Sequence, residues 1–361
     1  MSSIFTRKDP PLDEVNYSVE KLPVTSVYCQ TTGHSDKTIV CDIDKTYIET
    51  NFETFVQMAR TAIEDAKEKK TVLGADEVLK SAHWNSSSGK PNPLHFVTAS
   101  PPQLKSVLEE KLGLDDIHWN SMTYKNQAYN LRKGKMSLLR HHVAYKTLSL
   151  FKILAHSFEN TSLYLVGDNA ELDSFIYLGV KFFLDGTLSK EGYAAYLESA
   201  GTDPMVVKDL MGIIHRDRGC KVSGIYIRLV PGLNTYKAGR LTETVTYFDN
   251  FYEVALDFYQ KDVLHEKALW PLTRVFHNRF QVERLDLASY IQNCMALLSE
   301  DKKRVCEKIL SGLAITQKDL LASENENHLK GPAPKQPHAA LKEEEVVSLA
   351  GDWMKGVRAS K

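Results

Sequence analysis

Four short apolar runs constrain this chain more than anything else in it. They read KTIVC at 37–41, LHFV at 94–97, LYLV at 163–166 and IYIRLV at 225–230. Each is rich in β-branched or aromatic residues and too short for a helix, so each reads as a buried strand. Helical patterns lie between them at 52–69, 102–112 and 145–158. In the last of these Leu148, Phe151, Ile153, Leu154 and Phe158 form an apolar face. Strands alternating with helices predict an α/β protein with a Rossmann-like, doubly wound parallel sheet.

Two stretches look added to this core. Residues 48–93, ending in the loop-like HWNSSSGKPNP, and residues 184–218 are expected as cap insertions. One domain is therefore expected over 30–263, followed by a helical C-terminal extension over 264–318. Residues 319–361 read as a flexible linker, polar and proline-containing, and then a terminal amphipathic helix at 341–357 that either docks back or binds another protein.

Composition narrows the partners. The 45 Lys and Arg nearly balance the 46 Asp and Glu, so no overall field argues for nucleic acid or an anionic membrane surface. Any charged partner must be met locally. Five scattered cysteines without a CxxC pair fit a reducing, cytoplasmic setting. No stretch approaches the roughly 20 apolar residues of a membrane span, and the N-terminus has no signal-peptide pattern, so the chain is expected to be soluble.

Parallel sheets hold their ligands outside the carboxyl ends of the strands. The residues there are Asp42 and Asp44 after the first run, Thr98 and Ser100 after the second, and Gly167, Asp168 and Asp173 after the third. Two carboxylates at one strand tip suit phosphoryl chemistry, one attacking phosphorus while the other moves protons. A magnesium ion suits it too, taking hard oxygen ligands and neutralising phosphoryl oxygens. Asp42 and Asp168 are natural ligands for it, and Thr98 and Lys146 are placed to supply a hydroxyl and a cation near the phosphoryl oxygens.

Each feature also has a bland reading. A lone DxD is mostly a solvated turn, Lys146 alone is a surface helix lysine, and Thr98 alone is a strand-end cap. Their common order along the chain is what favours a site. The basic stretch LRKGKMSLLRHH at 131–142 is ordinarily a solvated face, but its place before Lys146 offers Arg132, Lys133 and Arg140 as contacts to a substrate anion, together with Ser100. His83 and His95 lack paired spacing for a metal, and the HRD at 215–217 stands without the glycine-rich loop or DFG that would give it meaning.

The set DIDKT, VTASP, a lysine and GDNAELD resembles, in type and order, the four motifs of the haloacid dehalogenase-like superfamily. By that resemblance Asp42 is the nucleophile that forms an aspartyl-phosphate and Asp44 the acid and base. Thr98 and Lys146 would hold the phosphate. The metal ligands would be Asp42, Asp168, Asp173 and the backbone carbonyl of Asp44. A nearer resemblance is to the catalytic domain of the actin-patch-associated phosphatidate phosphatases, through DIDKT, VTASPPQL, GDNAELDSFIY and VSGIYIRLV. Lys45, Pro102 and Ser174-Phe175 depart from that pattern near where substrate is chosen. The resemblance implies a magnesium-dependent phosphomonoesterase with a phosphatidate-like substrate and transient membrane contact. A soluble phosphomonoester, or a non-catalytic scaffold that keeps the fold, are the other readings left open.

Overall fold

The computed structural model describes residues 15–19, 22–28, 34–49, 70–125, 135–216, 218–233, 239–314 and 340–359. The helix expected at 52–69 and the linker at 319–339 lie outside the described residues. Eight strands form one sheet: β1 (Val15–Val19), β2 (Leu22–Tyr28), β3 (Lys37–Asp42), β4 (Leu94–Thr98), β5 (Ser121–Lys125), β6 (Ser162–Asp168), β7 (Lys221–Arg228) and β8 (Val245–Phe248). Their order is β1-β2-β5-β4-β3-β6-β7-β8. The six strands from β5 to β8 are mutually parallel, and β2 and β1 add an antiparallel pair on the β5 edge, ahead of the expected domain start at residue 30. The α/β, doubly wound reading thus holds.

The helices are α1 (Ala75–Trp84), α2 (Lys105–Leu114), α3 (Lys135–His156), α4 (Asp173–Leu184), α5 (Lys190–Ser199), α6 (Pro204–Ile213), α7 (Phe251–Gln260), α8 (Glu266–Asn278), α9 (Arg284–Met295), α10 (Glu300–Gly312) and α11 (Glu343–Ala359). Side chains alternate across a strand, and this divides the core in two. Val40 of β3, Leu163 and Leu165 of β6, and Ile225 and Ile227 of β7 meet α3, α4, α5, α6 and α11 on one face. Ile39 and Cys41, Tyr164 and Val166, and Tyr226 meet α1, α2 and α7 to α10 on the other. Helices on both faces explain why the central strands read as unbroken apolar runs rather than alternating ones.

Local chemistry fixes several helix starts. Asn250 and Glu253 form a capping box at α7, Ser189 accepts from the Gly192 N–H at α5, and Asp203 accepts from the Met205 N–H ahead of Pro204 at α6. Residues 184–218, expected as a cap, supply α5 and α6, whose Tyr193, Tyr196, Leu197, Val206 and Leu210 are fully or almost fully buried in the first core. Helix α3 starts earlier than expected and ends at His156, so Phe158 falls beyond it and is exposed. The extension after 264 forms α8 to α10 and closes the second core.

Helix α11 docks back on the fold. Val346, Ala350, Trp353 and Met354 enter the first core, with Trp353 edge-on to Phe175 of α4 at 5.5 Å between ring centroids. Glu343 accepts from the Ser189 N–H at 2.5 Å and from its hydroxyl at 3.0 Å, placing a carboxylate on the N-terminus of α5. Trp353→Ala is expected to cost about 3 kcal/mol or more of folding stability, measured as a lower urea midpoint. A loss under about 1 kcal/mol would mean that α11 does not pack as described.

Candidate active site

The chain order reverses at β3: β4 and β5 follow on one side, β6, β7 and β8 on the other. The crevice outside the carboxyl ends at such a reversal is where α/β sheets bind ligands. Asp42 ends β3 and Asp168 ends β6, both with no exposed surface. Thr98 ends β4, Asp173 opens α4, and Lys146 points in from the middle of α3. Six positions named from sequence gather there: Asp42, Lys146, Asp168 and Asp173 in one buried network, and Asp44 and Thr98 in a buried niche beside it, together with Ser100.

At its centre is the Lys146 ammonium. Its Nζ lies 2.7 Å from Asp42 Oδ1, 2.5 Å from Asp173 Oδ1 and 3.0 Å from Glu171 Oε2. Burial alone would push the Lys146 pKa down, but Asp173, Asp42 and Glu171 together hold it well above its ordinary value. Asp173 also accepts the Asp168 N–H at 3.3 Å through Oδ2. Gly167 makes room for this carboxylate: a Cβ there would stand 2.3 Å from Asp173 Oδ2. Asp168 accepts the N–H groups of Ala170 at 2.6 Å and Glu171 at 3.2 Å, and the Thr46 hydroxyl at 3.1 Å.

Asp44 occupies a separate polar niche. Its Oδ2 accepts the Thr98 hydroxyl at 2.8 Å and the Ser100 hydroxyl at 3.2 Å. Ser100, expected to meet substrate, is thus a partner of Asp44 and is 2% exposed. The turn carrying Asp44 is tight: Tyr47 and Ile48 both donate to the Ile43 carbonyl, and Lys45 takes a left-handed φ of 60°. Arg228, at the end of β7, donates to the Lys45 carbonyl at 2.5 Å and pins this turn beside Asp168.

Electrostatics set the two aspartates of the first motif apart. Burial pushes Asp44 up to about 6, helped by Glu171 and opposed by its hydrogen bonds from Thr98 and Ser100. Burial likewise raises Asp168 to about 7, with Asp173 and Glu171 adding to it. Asp42 is raised well above the usual carboxylate range by burial despite Lys146. Glu171 goes the other way: against burial, His142 and Lys146 hold it well below that range, with His142 Nε2 at 2.7 Å.

Five carboxylates, Asp42, Asp44, Asp168, Glu171 and Asp173, therefore share the charge of Lys146 and the polarity of His142. Negative charge is in excess, and it adds to the burial that raises the aspartate pKa values. Ligand oxygens of Asp42, Asp168 and Asp173 lie within 4.8 Å of one another. A cluster of hard oxygen donors with surplus negative charge suits a bound divalent cation.

Sequence reasoning missed Glu171, His142, Thr46 and Arg228 as members of this network. Glu171 sits inside GDNAELD, and Arg228 lies within the fourth run, whose strand ends there, two residues short of the end of the run. His142 and Thr46 had only adjacency to Lys146 and Asp44 as a signal. Arg132 and Lys133 lie outside the described residues, as does the side chain of Arg140.

Residues 37–182, about two fifths of the chain, match the family model described as "Phosphatidate phosphatase APP1, catalytic domain". The match begins at β3 and ends within α4, so it takes in every carboxylate of the cluster. No curated protein and no solved structure matches the chain. No helix among the described residues is long and apolar enough to cross a membrane.

The raised pKa of Asp44 has a definite sign in folding. Its carboxyl holds a proton to about 6 when folded, above the 3.8 of a free aspartate, so the stability it contributes is complete below about 4 and is lost as pH rises through about 6. In chelator-treated protein, Asp44→Asn should therefore gain on the wild type in urea midpoint as pH rises from about 4 to about 7. Parallel midpoints across that range would refute the buried, proton-holding carboxyl.

Proposed function

We propose that this protein is a magnesium-dependent phosphomonoesterase of haloacid dehalogenase-like kind, working through an aspartyl-phosphate on Asp42, with a phosphatidate-class phospholipid as substrate. One observation carries this reading: segments spread over 130 residues converge on a single buried acid cluster at the carboxyl ends of β3, β4 and β6. The match of residues 37–182 to a phosphatidate phosphatase catalytic domain supports the phosphatase reading and the lipid class.

In this reading an Asp42 carboxylate oxygen attacks the phosphorus of the ester. The bond from phosphorus to the alcohol oxygen breaks, and Asp44 gives that oxygen its proton. A carboxyl with a pKa near about 6 keeps a useful protonated fraction close to neutrality while remaining a competent base afterwards. The Asp44 carboxylate then takes a proton from water, whose oxygen attacks the same phosphorus and frees Asp42. Thr98 and Ser100 aim Asp44, and Lys146 neutralises Asp42 and holds it in place. Asp42, Asp168, Asp173 and the Asp44 carbonyl would hold magnesium, which when bound neutralises phosphoryl oxygens.

The test is magnesium-dependent phosphate release from p-nitrophenyl phosphate and from phosphatidate in mixed micelles. Wild type should prefer phosphatidate, and Asp42→Asn should lose about three orders of magnitude or more. Activity that survives Asp42→Asn would sink the nucleophile assignment, and preference for the soluble ester would replace the lipid with a soluble phosphomonoester. Glu171→Gln should lower kcat by about ten- to a hundredfold with little change in KM, because it loosens Lys146 without touching substrate. An unchanged kcat would remove Glu171 from the working network.

A further inference from the structure

At the opposite end of the sheet lies a cavity of about 910 Å³, within the range of small-ligand sites. It is bounded by the second half of α3, by α6 and by residues 214–216, 218 and 220 ahead of β7. Helix α3 ends just before β6 starts, so the cavity sits at the N-terminal ends of β6 and β7. A seven-residue strand spans about 20 Å, which separates this cavity from the carboxylates at the other end. Asp42, Asp44, Asp168 and Asp173 are absent from its lining.

The lining has two characters. Leu148, Phe151, Leu184 and Ile213 make an apolar wall. Among the described residues of the lining, Lys152, Lys208, Arg216 and Arg218 stand around it with two histidines, against one acid, Asp209. Arg218 is committed elsewhere, donating to the carbonyls of Leu154, Ala155 and Ser157 at 2.7 to 2.9 Å, which closes the C-terminus of α3. Arg216 lies over the Phe183 ring at 4.8 Å and gives one N–H to the Leu188 carbonyl. Among the described residues neither Arg216 nor Lys208 pairs with a carboxylate.

A glycine gives access to the space. Gly212 is in α6, where glycine weakens a helix. No atom lies within 4 Å of the place its Cβ would take, so no close neighbour requires glycine there. A larger side chain at Gly212, which lines the cavity, would extend into that open space.

We propose that this cavity binds a single-chain amphiphile with an anionic head, carboxylate or phosphate-like, its chain against Leu148, Phe151, Leu184 and Ile213 and its head against Lys152, Lys208 and Arg216. A polar ligand such as a sugar would leave the apolar wall unmet, and a neutral amphiphile would leave the cationic excess unmet. The site is separate from the acid cluster, though α3 serves both: Lys146 and Lys152 stand about 9 Å apart along its axis.

The full chain is titrated calorimetrically with decanoate, decylphosphonate and decyl maltoside, each below its micelle concentration. At least one anionic probe should bind one to one and the maltoside should not. A preference for the phosphonate would identify a phosphate-like head, and a preference for decanoate a carboxylate. The double variant Lys208→Gln/Arg216→Gln, changing exposed and half-exposed side chains, should weaken binding at least tenfold. Gly212→Trp, which fills the space, should abolish it. Equal binding of the maltoside, absence of binding by both anionic probes, or unchanged binding in Gly212→Trp would each overturn the proposal, the last by locating the amphiphile at the acid cluster or elsewhere.

Discussion

A lysine ammonium with 1% of its side chain exposed is tolerable only if its surroundings replace water completely. Lys146 meets that condition with three carboxylates from two directions: Asp42 from β3, and Glu171 from the connection after β6 with Asp173 from the start of α4. Removing any one of these leaves a buried charge short of a partner. The arrangement therefore ties β3, β6, α3 and α4 together at one point, where the sheet alone would leave their ends independent. It also leaves acid in excess over base, which is the condition a divalent cation relieves.

The two cores make that point possible. Alternating side chains of β3, β6 and β7 feed apolar groups to both faces, so the strands are buried on both sides and only their ends reach solvent or ligand. Helix α3 spans the sheet from end to end, with His142 and Lys146 at the acid cluster and Phe151, Lys152 and Leu154 at the cationic cavity. A long helix packed along a sheet keeps two polar regions apart while holding both rigidly, because its buried face is continuous. Helix α11 braces the same layer through Trp353 on Phe175, two residues beyond Asp173.

Much of this was legible. The four apolar runs correspond to β3, β4, β6 and β7, and the polar residues beyond them supply most of the acid cluster. Other elements were hidden for physical reasons. In β5, SMTYK, polar residues occupy buried places because neighbours satisfy them, as when Ser121 pairs with His95 at 2.6 Å, so no apolar run marks the strand. The strand β8 has only four residues, too few for a period to show. Residues 184–218 looked like an addition because their helices carry polar outer faces, although Tyr193 and Tyr196 are core residues. Glu171 is indistinguishable in sequence from any loop glutamate until His142 stands beside it.

What the sequence determined by itself is what local pattern controls: which segments are strands, their alternation with helices, and which residues fall at the carboxyl ends. Those follow from backbone periodicity and from short-range preference, and they need no knowledge of distant neighbours. Tertiary structure decided the partnerships. Arg228 reaches the Lys45 carbonyl across 183 positions, Thr98 reaches Asp44 across 54, and Lys146 meets acids on both sides of itself in the chain. Such contacts depend on strand order and crossover, which bring residues together according to the packing of the layers rather than their separation along the chain.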